Sequence, residues 1–252
     1  MNIVTKIEDW QAIRKQLIGK TIGLIPTMGN LHAGHLSLCQ RSQAENDITV
    51  ISVVVNPTQF NQPEDFKLYP RTLEADKISL AAYDIDFLLC PNPADIYPDN
   101  YEVQVSEIEL SRELEGAYRP GHFSGMLTIV LKLLNLVQPT RAYFGEKDYQ
   151  QLLLVKKMVS ALLLPIDIVG CETVRANDEL ALSSRNNRLN PQQREKAANF
   201  PRLLQSSLST EAISEQLISL GFNVDYITEK WQRRLGAVWL DEIRLIDNIP
   251  IK

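Results

Sequence analysis

Short apolar runs alternate with amphipathic stretches through the first two-thirds of the chain. Residues 21–25, Thr-Ile-Gly-Leu-Ile, predict a buried strand. Residues 48–55 are rich in β-branched side chains and stop at Asn56-Pro57, which predicts a second buried strand. Further strands are expected at 85–89, before Pro91 and Pro93, and at 141–144 and 165–169. Helical spacing of apolar residues occupies 8–17, 34–44, 73–82, 125–137 and 149–163. Continuous apolar strands alternating with helices predict an α/β fold, a Rossmann-like, mostly parallel sheet covered on both faces. A polar, loop-like stretch follows at 172–188. Beyond it come predicted helices at 191–206 and 210–220, then short strands at 224–227, 237–240 and 243–246. This change of pattern predicts two domains, a Rossmann-like one over 1–175 and a smaller C-terminal α/β lid over 176–252.

Composition narrows the setting. A chain of 252 residues has room for one large domain and a small appendage. Its formal net charge of −5 gives no basic footprint for nucleic acid. The first nine residues include acidic side chains and no apolar core of signal length. The most apolar run, 126–137, is interrupted by Lys132 and is too short to span a bilayer. Cys39, Cys90 and Cys171 lie in apolar surroundings without metal-ligand spacing, so reduced core thiols are expected. These features predict a cytoplasmic protein with neither a membrane nor a nucleic-acid partner.

The chemistry begins where the strand at 21–25 runs into Pro26-Thr27-Met28-Gly29-Asn30-Leu31-His32-Ala33-Gly34-His35. Strand, glycine-bearing turn and helix start form a cradle for an anion. Backbone N–H groups of a first helical turn face outward, and the helix dipole favours negative charge there. His32 and His35, spaced three residues apart, share one helix face. Two polar residues at a helix start are otherwise an ordinary cap. A second strand–turn–helix crossing carries Gly145-Glu146-Lys147-Asp148, where Lys147 offers a mobile charge for phosphate oxygens and Asp148 a ribose contact or an N-cap. Ser183-Ser184-Arg185 joins two hydroxyls and a guanidinium, which suit a phosphate clamp as well as a solvated turn. Gln59 and Gln151 carry amides that match a substrate bearing hydroxyls and a carboxylate.

The His32-Ala33-Gly34-His35 stretch resembles the His-x-Gly-His signature of the nucleotidyltransferase superfamily. Together with 55–60, Tyr69-Pro70-Arg71-Thr72, Arg119-Pro120-Gly121-His122-Phe123, 144–151, 182–186 and Arg244-Leu245-Ile246-Asp247-Asn248, it resembles one branch, the pantoate–β-alanine ligases. The resemblance implies ATP-dependent condensation of pantoate with β-alanine through pantoyl adenylate, releasing AMP and pyrophosphate. It implies that Met28, Gly29, Asn30, Leu31, His32, Ala33, Gly34 and His35 line the ATP site, with Gly145, Glu146, Lys147, Asp148, Val174, Leu182, Ser183, Ser184 and Arg185. Of these, His35, described as a proton donor, His32, Lys147, Ser183, Ser184 and Arg185 are the catalytic candidates. Gln59 is implied at pantoate and β-alanine, Gln151 at pantoate, and Asn56 in the substrate turn. ATP is a co-substrate, Mg²⁺ is held mainly by its phosphates, and no protein-ligated metal is expected. Asp76 aligns with one of an acidic pair suspected of helping magnesium, and Ala75 replaces the other. Glu179 stands where the family usually has glycine, strand or loop material is missing between Tyr226 and Ala237, and Arg119 and His122 have no assigned role. The resemblance also implies a homodimer. A nucleotidyltransferase making a dinucleotide or an activated alcohol would share the histidines but lack the paired glutamines. An idle nucleotide-binding module would not need His32, His35, Lys147, Ser183, Ser184 and Arg185 intact.

Overall fold

The computed structural model describes residues 1–61 and 63–251. In chain order the elements are β1 Asn2–Val4, α1 Ile7–Gln16, β2 Ile22–Thr27, α2 Ala33–Glu45, β3 Ile48–Val53, α3 Pro63–Leu68, α4 Leu73–Leu80, β4 Phe87–Leu89, α5 Pro93–Ile96, α6 Glu115–Tyr118 and α7 His122–Val137. There follow β5 Arg141–Gly145, α8 Tyr149–Ala161, β6 Asp167–Cys171, α9 Pro191–Ala197, α10 Asn199–Gln205, α11 Thr210–Ser219, β7 Asn223–Lys230, β8 Arg233–Leu240 and β9 Ile243–Pro250. Contacts divide the chain into two compact units. The first holds Met1–Leu31, His35–Gly145 and Gln150–Cys171; the second holds His32–Gly34, Glu146–Tyr149 and Glu172–Lys252.

The first unit is built on a six-stranded sheet in the order β1-β4-β3-β2-β5-β6. Every strand pair in it is parallel. Strands buried on both faces must be apolar throughout. Accordingly Ile22, Leu24, Ile25, Val50, Ile51, Leu88 and Leu89 are almost fully buried. Leu38 and Cys39 of α2 and Leu80 of α4 pack into the cluster formed by Ile25, Ile51, Leu88 and Tyr143. Trp10 of α1 is fully buried, packs edge-to-face on Phe87 and donates from Nε1 to the Leu136 carbonyl at 2.9 Å. Its indole therefore fills apolar volume while its one polar atom is satisfied. From β2 the chain moves to β3 on one side, and from β5 to β6 on the other. The point between β2 and β5 is thus a switch in winding direction, where α/β sheets gather ligands beyond their strand carboxyl ends.

The second unit contains the antiparallel sheet β7-β8-β9. Phe200, Leu204, Ile213, Leu217, Val238 and Leu245 form its core. The sequence predicts one helix over 191–206, but α9 and α10 separate at Ala198. Pro201 lacks the N–H that would continue the first helix and instead sits in the first turn of the next, where no such bond is needed. The strands run longer than the short ones expected at 224–227 and 237–240: β7 and β8 pair from Asn223↔Trp239 to Lys230↔Arg233. Trp231 and Gln232 make the tight hairpin turn with φ of +54° and +58°. Left-handed turn positions normally advertise themselves as Asn-Gly or Asp-Gly, and this pair does not.

Candidate active site

The turn after β2 is fastened to α4. Thr27 Oγ1 donates to the Ser52 carbonyl at 2.7 Å and accepts from the Gly29 N–H at 3.1 Å. Gly29 and Asn30 follow with φ of +81° and +52°. A Cβ on Gly29 would stand 2.9 Å from Asp76 Oδ2, so glycine serves here for both conformation and space. Asp76, only 2% exposed, accepts from the Asn30 N–H at 3.0 Å, the Leu31 N–H at 2.7 Å and the Thr72 hydroxyl at 3.2 Å. The sequence aligns Asp76 with an acidic pair suspected of helping magnesium. In the structure it braces the turn from below, with both oxygens taken by the protein.

Beyond that turn, His32 Nδ1 accepts the Gly34 N–H at 3.2 Å. A neutral His32 therefore carries its proton on Nε2, which leaves that nitrogen as a donor. The N–H groups of Asn30, Leu31 and Gly34 are thus bonded within the protein. His35 lies in the first turn of α2 and is half-buried, as are Met28, Asn30, Leu31 and His32. Ala33 is exposed.

Within the second unit, the segment after β5 is held by β8 and β9. Arg233 pairs with the Glu146 carboxylate and lies over the Tyr149 ring at 4.2 Å. Asn248 Nδ2 donates to the carbonyls of Glu146 and Lys147, both at 2.9 Å. The Glu146 side chain is consequently a structural ion-pair member. Lys147 is 17% exposed in its side chain and lies 3.6 Å from the Asp148 carboxylate. Gly145 closes β5 with open space where a Cβ would be.

The polar stretch expected to be loop is a laced turn. Arg175 and Ala181 form an isolated antiparallel bridge, and the Leu182 N–H donates to the Val174 carbonyl at 2.9 Å. Glu179 takes φ +69°, the conformation for which the family's glycine is suited. Buried Asn186 donates to the Ala181 carbonyl at 3.0 Å. Ser183 accepts the Arg185 N–H at 3.3 Å and caps the short 3₁₀ turn Ser184–Arg188. Ser183, Ser184 and Arg185 are half-buried.

Gln59 belongs to the first unit, in the 3₁₀ turn Pro57–Gln59 that follows β3. Its Oε1 accepts from Asn56 Nδ2 at 3.0 Å. Asn56 is fully buried and also donates to the Gly125 carbonyl at 3.1 Å. Its Oδ1 accepts from the hydroxyls of Thr58 at 3.0 Å and Tyr97 at 2.8 Å. All four hydrogen-bonding positions of that amide are thereby used inside the protein, so Asn56 reaches a substrate only through Gln59. Gly125 permits the crossing: a Cβ there would come within 2.3 Å of the Thr58 carbonyl oxygen. His122 has a definable state as well. Arg119 Nη1, which can only donate, lies 3.1 Å from Nε2, so Nε2 accepts; Nδ1–H then donates to the Gln59 carbonyl at 2.8 Å. The histidine left without a role by the sequence therefore holds the Gln59 backbone. Gln151 is half-buried in the first turn of α8. Its neighbour Gln150 is buried and bonded at both ends of its amide, accepting from Glu115 N–H and donating to the Leu110 and Glu113 carbonyls.

Among the described residues, no group of three or more His, Cys, Asp or Glu side chains is arranged to hold a metal ion, and no helix is long and apolar enough to cross a membrane. The three cysteines are unpaired with one another, and burial pushes the Cys39 thiol up to about 12.

The family model for pantoate-beta-alanine ligase matches residues 2–250. The chain is 52% identical to pantothenate synthetase of Legionella pneumophila strain Corby, over 98% of this chain and 99% of that protein. It is 50% identical to pantothenate synthetase of Coxiella burnetii strain Dugway 5J108-111, over 98% of this chain and 96% of that one. Its fold superposes with a TM-score of 0.95 on the pantoate-beta-alanine ligase of Francisella tularensis complexed with beta-gamma ATP and beta-alanine, at 41% identity over 99% and 97% of the two chains. A likeness running through both units, at such identity and over nearly the whole of each relative, makes this chain a member of the pantoate-beta-alanine ligase family.

Proposed function

We propose that this chain condenses pantoate with β-alanine in two ATP-dependent half-reactions. The observation that carries the reading is the family match across residues 2–250. The Francisella complex with beta-gamma ATP and beta-alanine adds support for the nucleotide and the amine. In the first half-reaction a pantoate carboxylate oxygen bonds to the α-phosphorus, and the bond to the bridging oxygen breaks to release pyrophosphate. In the second, the β-alanine amine attacks the carbonyl of the adenylate. The C–N bond forms, the C–O bond to AMP breaks, and the amine loses a proton to solvent.

ATP is assigned to Met28–His35, Gly145–Asp148, Val174 and Leu182–Arg185, as the family resemblance implies. His32 and His35 donate toward developing phosphate charge, while Lys147, Ser183, Ser184 and Arg185 hold the phosphates. Gln59 and Gln151 recognise pantoate. Mg²⁺ fits a phosphate-borne position, because Asp76 is committed to backbone N–H groups. Such an ion keeps phosphate and water ligands and needs few from protein. A homodimer is proposed on the same resemblance.

Pantoate labelled with ¹⁸O in its carboxylate tests the order of chemistry. Enzyme, ATP, Mg²⁺ and labelled pantoate are expected to release pyrophosphate without β-alanine. Adding β-alanine then yields pantothenate and AMP carrying one label, read by mass spectrometry. ADP, or unlabelled AMP during verified product formation, sinks the proposal.

The amides give a second expectation. Gln59→Ala and Gln151→Ala should each raise the KM for pantoate by about 10-fold or more, the order expected when a site loses a hydrogen bond to substrate. ATP affinity without pantoate should change little. Calorimetry for ATP and steady-state kinetics for pantoate separate the two; weakened ATP binding with unchanged pantoate dependence contradicts the assignment.

A further inference from the structure

We infer that Asn248 and Asp247, on the last part of β9, are positioning residues for the ATP-handling groups of the second unit. The inference rests on the function proposed above and adds residues to it. Asn248 is 3% exposed and its amide is bonded at both ends. One nitrogen spans two successive carbonyls, those of Glu146 and Lys147, at 2.9 Å each. Its oxygen accepts from Arg233 Nη1 at 2.7 Å. The same guanidinium pairs with the Glu146 carboxylate and covers the Tyr149 ring. A three-residue 3₁₀ turn, Glu146–Asp148, has too few internal hydrogen bonds to fix itself. Here it is gripped at two consecutive peptide units from one side and through Glu146 and Tyr149 from another. Lys147 has a long side chain with high rotamer freedom, so its reach is governed by how firmly its Cα is held.

Asp247 does the equivalent for the second segment. It is 3% exposed and takes a bidentate pair from Arg175, with Nη1 at 2.6 Å and Nη2 at 2.9 Å. Arg175 Nη1 also donates to the Glu179 carbonyl at 2.9 Å, closing the turn in which Glu179 has φ +69°. That turn leads directly into Ser183-Ser184-Arg185. Asp247 Oδ1 additionally accepts the Asn248 N–H at 2.7 Å, which links the two anchors to each other. Consecutive residues of one strand thus fix both the Lys147 turn and the approach to the serine–arginine segment.

The test is a double-mutant cycle between Asn248→Asp and Lys147→Ala, reading pyrophosphate release with ATP and pantoate. The aspartate keeps the size and an oxygen for Arg233, but replaces the two N–H donors with a carboxylate oxygen facing two carbonyls. A displacement of about 1 Å in such a group costs on the order of 100-fold. Asn248→Asp is therefore expected to lower kcat/KM for ATP by about 10- to 100-fold, with KM for pantoate within about 2-fold. In the Lys147→Ala background the same change should cost less than about 3-fold, since the group it positions is gone. Arg233→Lys, which keeps the charge for Glu146 but loses the flat stack and the bond to Asn248, should give a milder effect of the same kind. It also serves if Asn248→Asp does not fold. Asp225→Asn is the structural control: Asp225 accepts from Trp239 and Arg244 in the same sheet. Additive losses, or an Asp225→Asn effect on ATP kinetics as large as that of Asn248→Asp at equal stability, overturn the inference. Wild-type enzyme that releases no pyrophosphate overturns the function instead, so the two failures are distinct.

Discussion

His35→Ala is expected to slow pyrophosphate release by about 100- to 1000-fold, the usual effect of removing one preorganised donor from a developing anion. The imidazole stands in the first turn of α2, immediately after the braced turn at 28–32, and is only half-buried. Its loss leaves no large apolar cavity, and alanine is the best helix former. Thermal unfolding should therefore shift little. Rapid-quench measurement of pyrophosphate against ATP concentration is the check. If His35 acts in the displacement, the rate constant falls while ATP binding is largely retained. A folded variant with near-normal pyrophosphate release would remove His35 from the chemistry.

Asp76→Asn is expected to damage both stability and rate. The carboxylate accepts N–H groups from Asn30 and Leu31, and hydrogen bonds to a charged group contribute about 1.5–3 kcal/mol each. The amide keeps one acceptor but turns an NH₂ toward a backbone N–H, so at least one of these bonds is lost and a donor faces a donor. A loss of about 2–4 kcal/mol is expected, read as a lower urea midpoint with unchanged slope. The residual folded protein should show adenylate formation reduced by about 100-fold, because Gly29 and Asn30 are held in left-handed conformations by the contacts that Asp76 supplies. A variant with wild-type midpoint and wild-type rate would show that the turn holds itself.

Much of this was readable beforehand, and the parts that were not share a physical cause. The parallel strands announced themselves because burial on both faces demands unbroken apolar runs, as at Ile48 to Val53. β1 did not, since three residues on a sheet edge carry no period. The hairpin of β7 and β8 was obscured by the charged residues Glu229, Lys230, Arg233 and Arg234 beside its turn and by Trp231-Gln232 at a turn that usually takes Asn or Gly. Candidate groups were visible as types: histidines after a glycine turn, a lysine at a strand end, a serine pair beside an arginine. What spacing cannot give is the partner of each buried polar atom. Asp76 reads as an acid near phosphate until its two N–H donors are known. Asn56 reads as a substrate contact until its four hydrogen bonds are counted. Gln150 and Gln151 are adjacent and identical in type, and only burial separates the brace from the candidate recogniser.

The order of strands also dictates an order of assembly. In the second unit, β7, β8 and β9 follow one another through tight turns, so their pairing requires only short loops to close. In the first unit, β2 meets β5 across a long stretch of chain; the bond from Ile22 N–H to Thr140 Oγ1 joins residues 118 apart. Non-local parallel pairing is slow. During refolding, the small sheet should gain hydrogen-exchange protection well before the large one. Yet His32–Gly34 and Glu146–Tyr149, threaded through the early part of the chain, make their contacts with Glu172–Lys252. These two segments can therefore find their seats only after Glu172–Lys252 has been made. Catalytic competence during synthesis or refolding should lag behind the recovery of secondary structure.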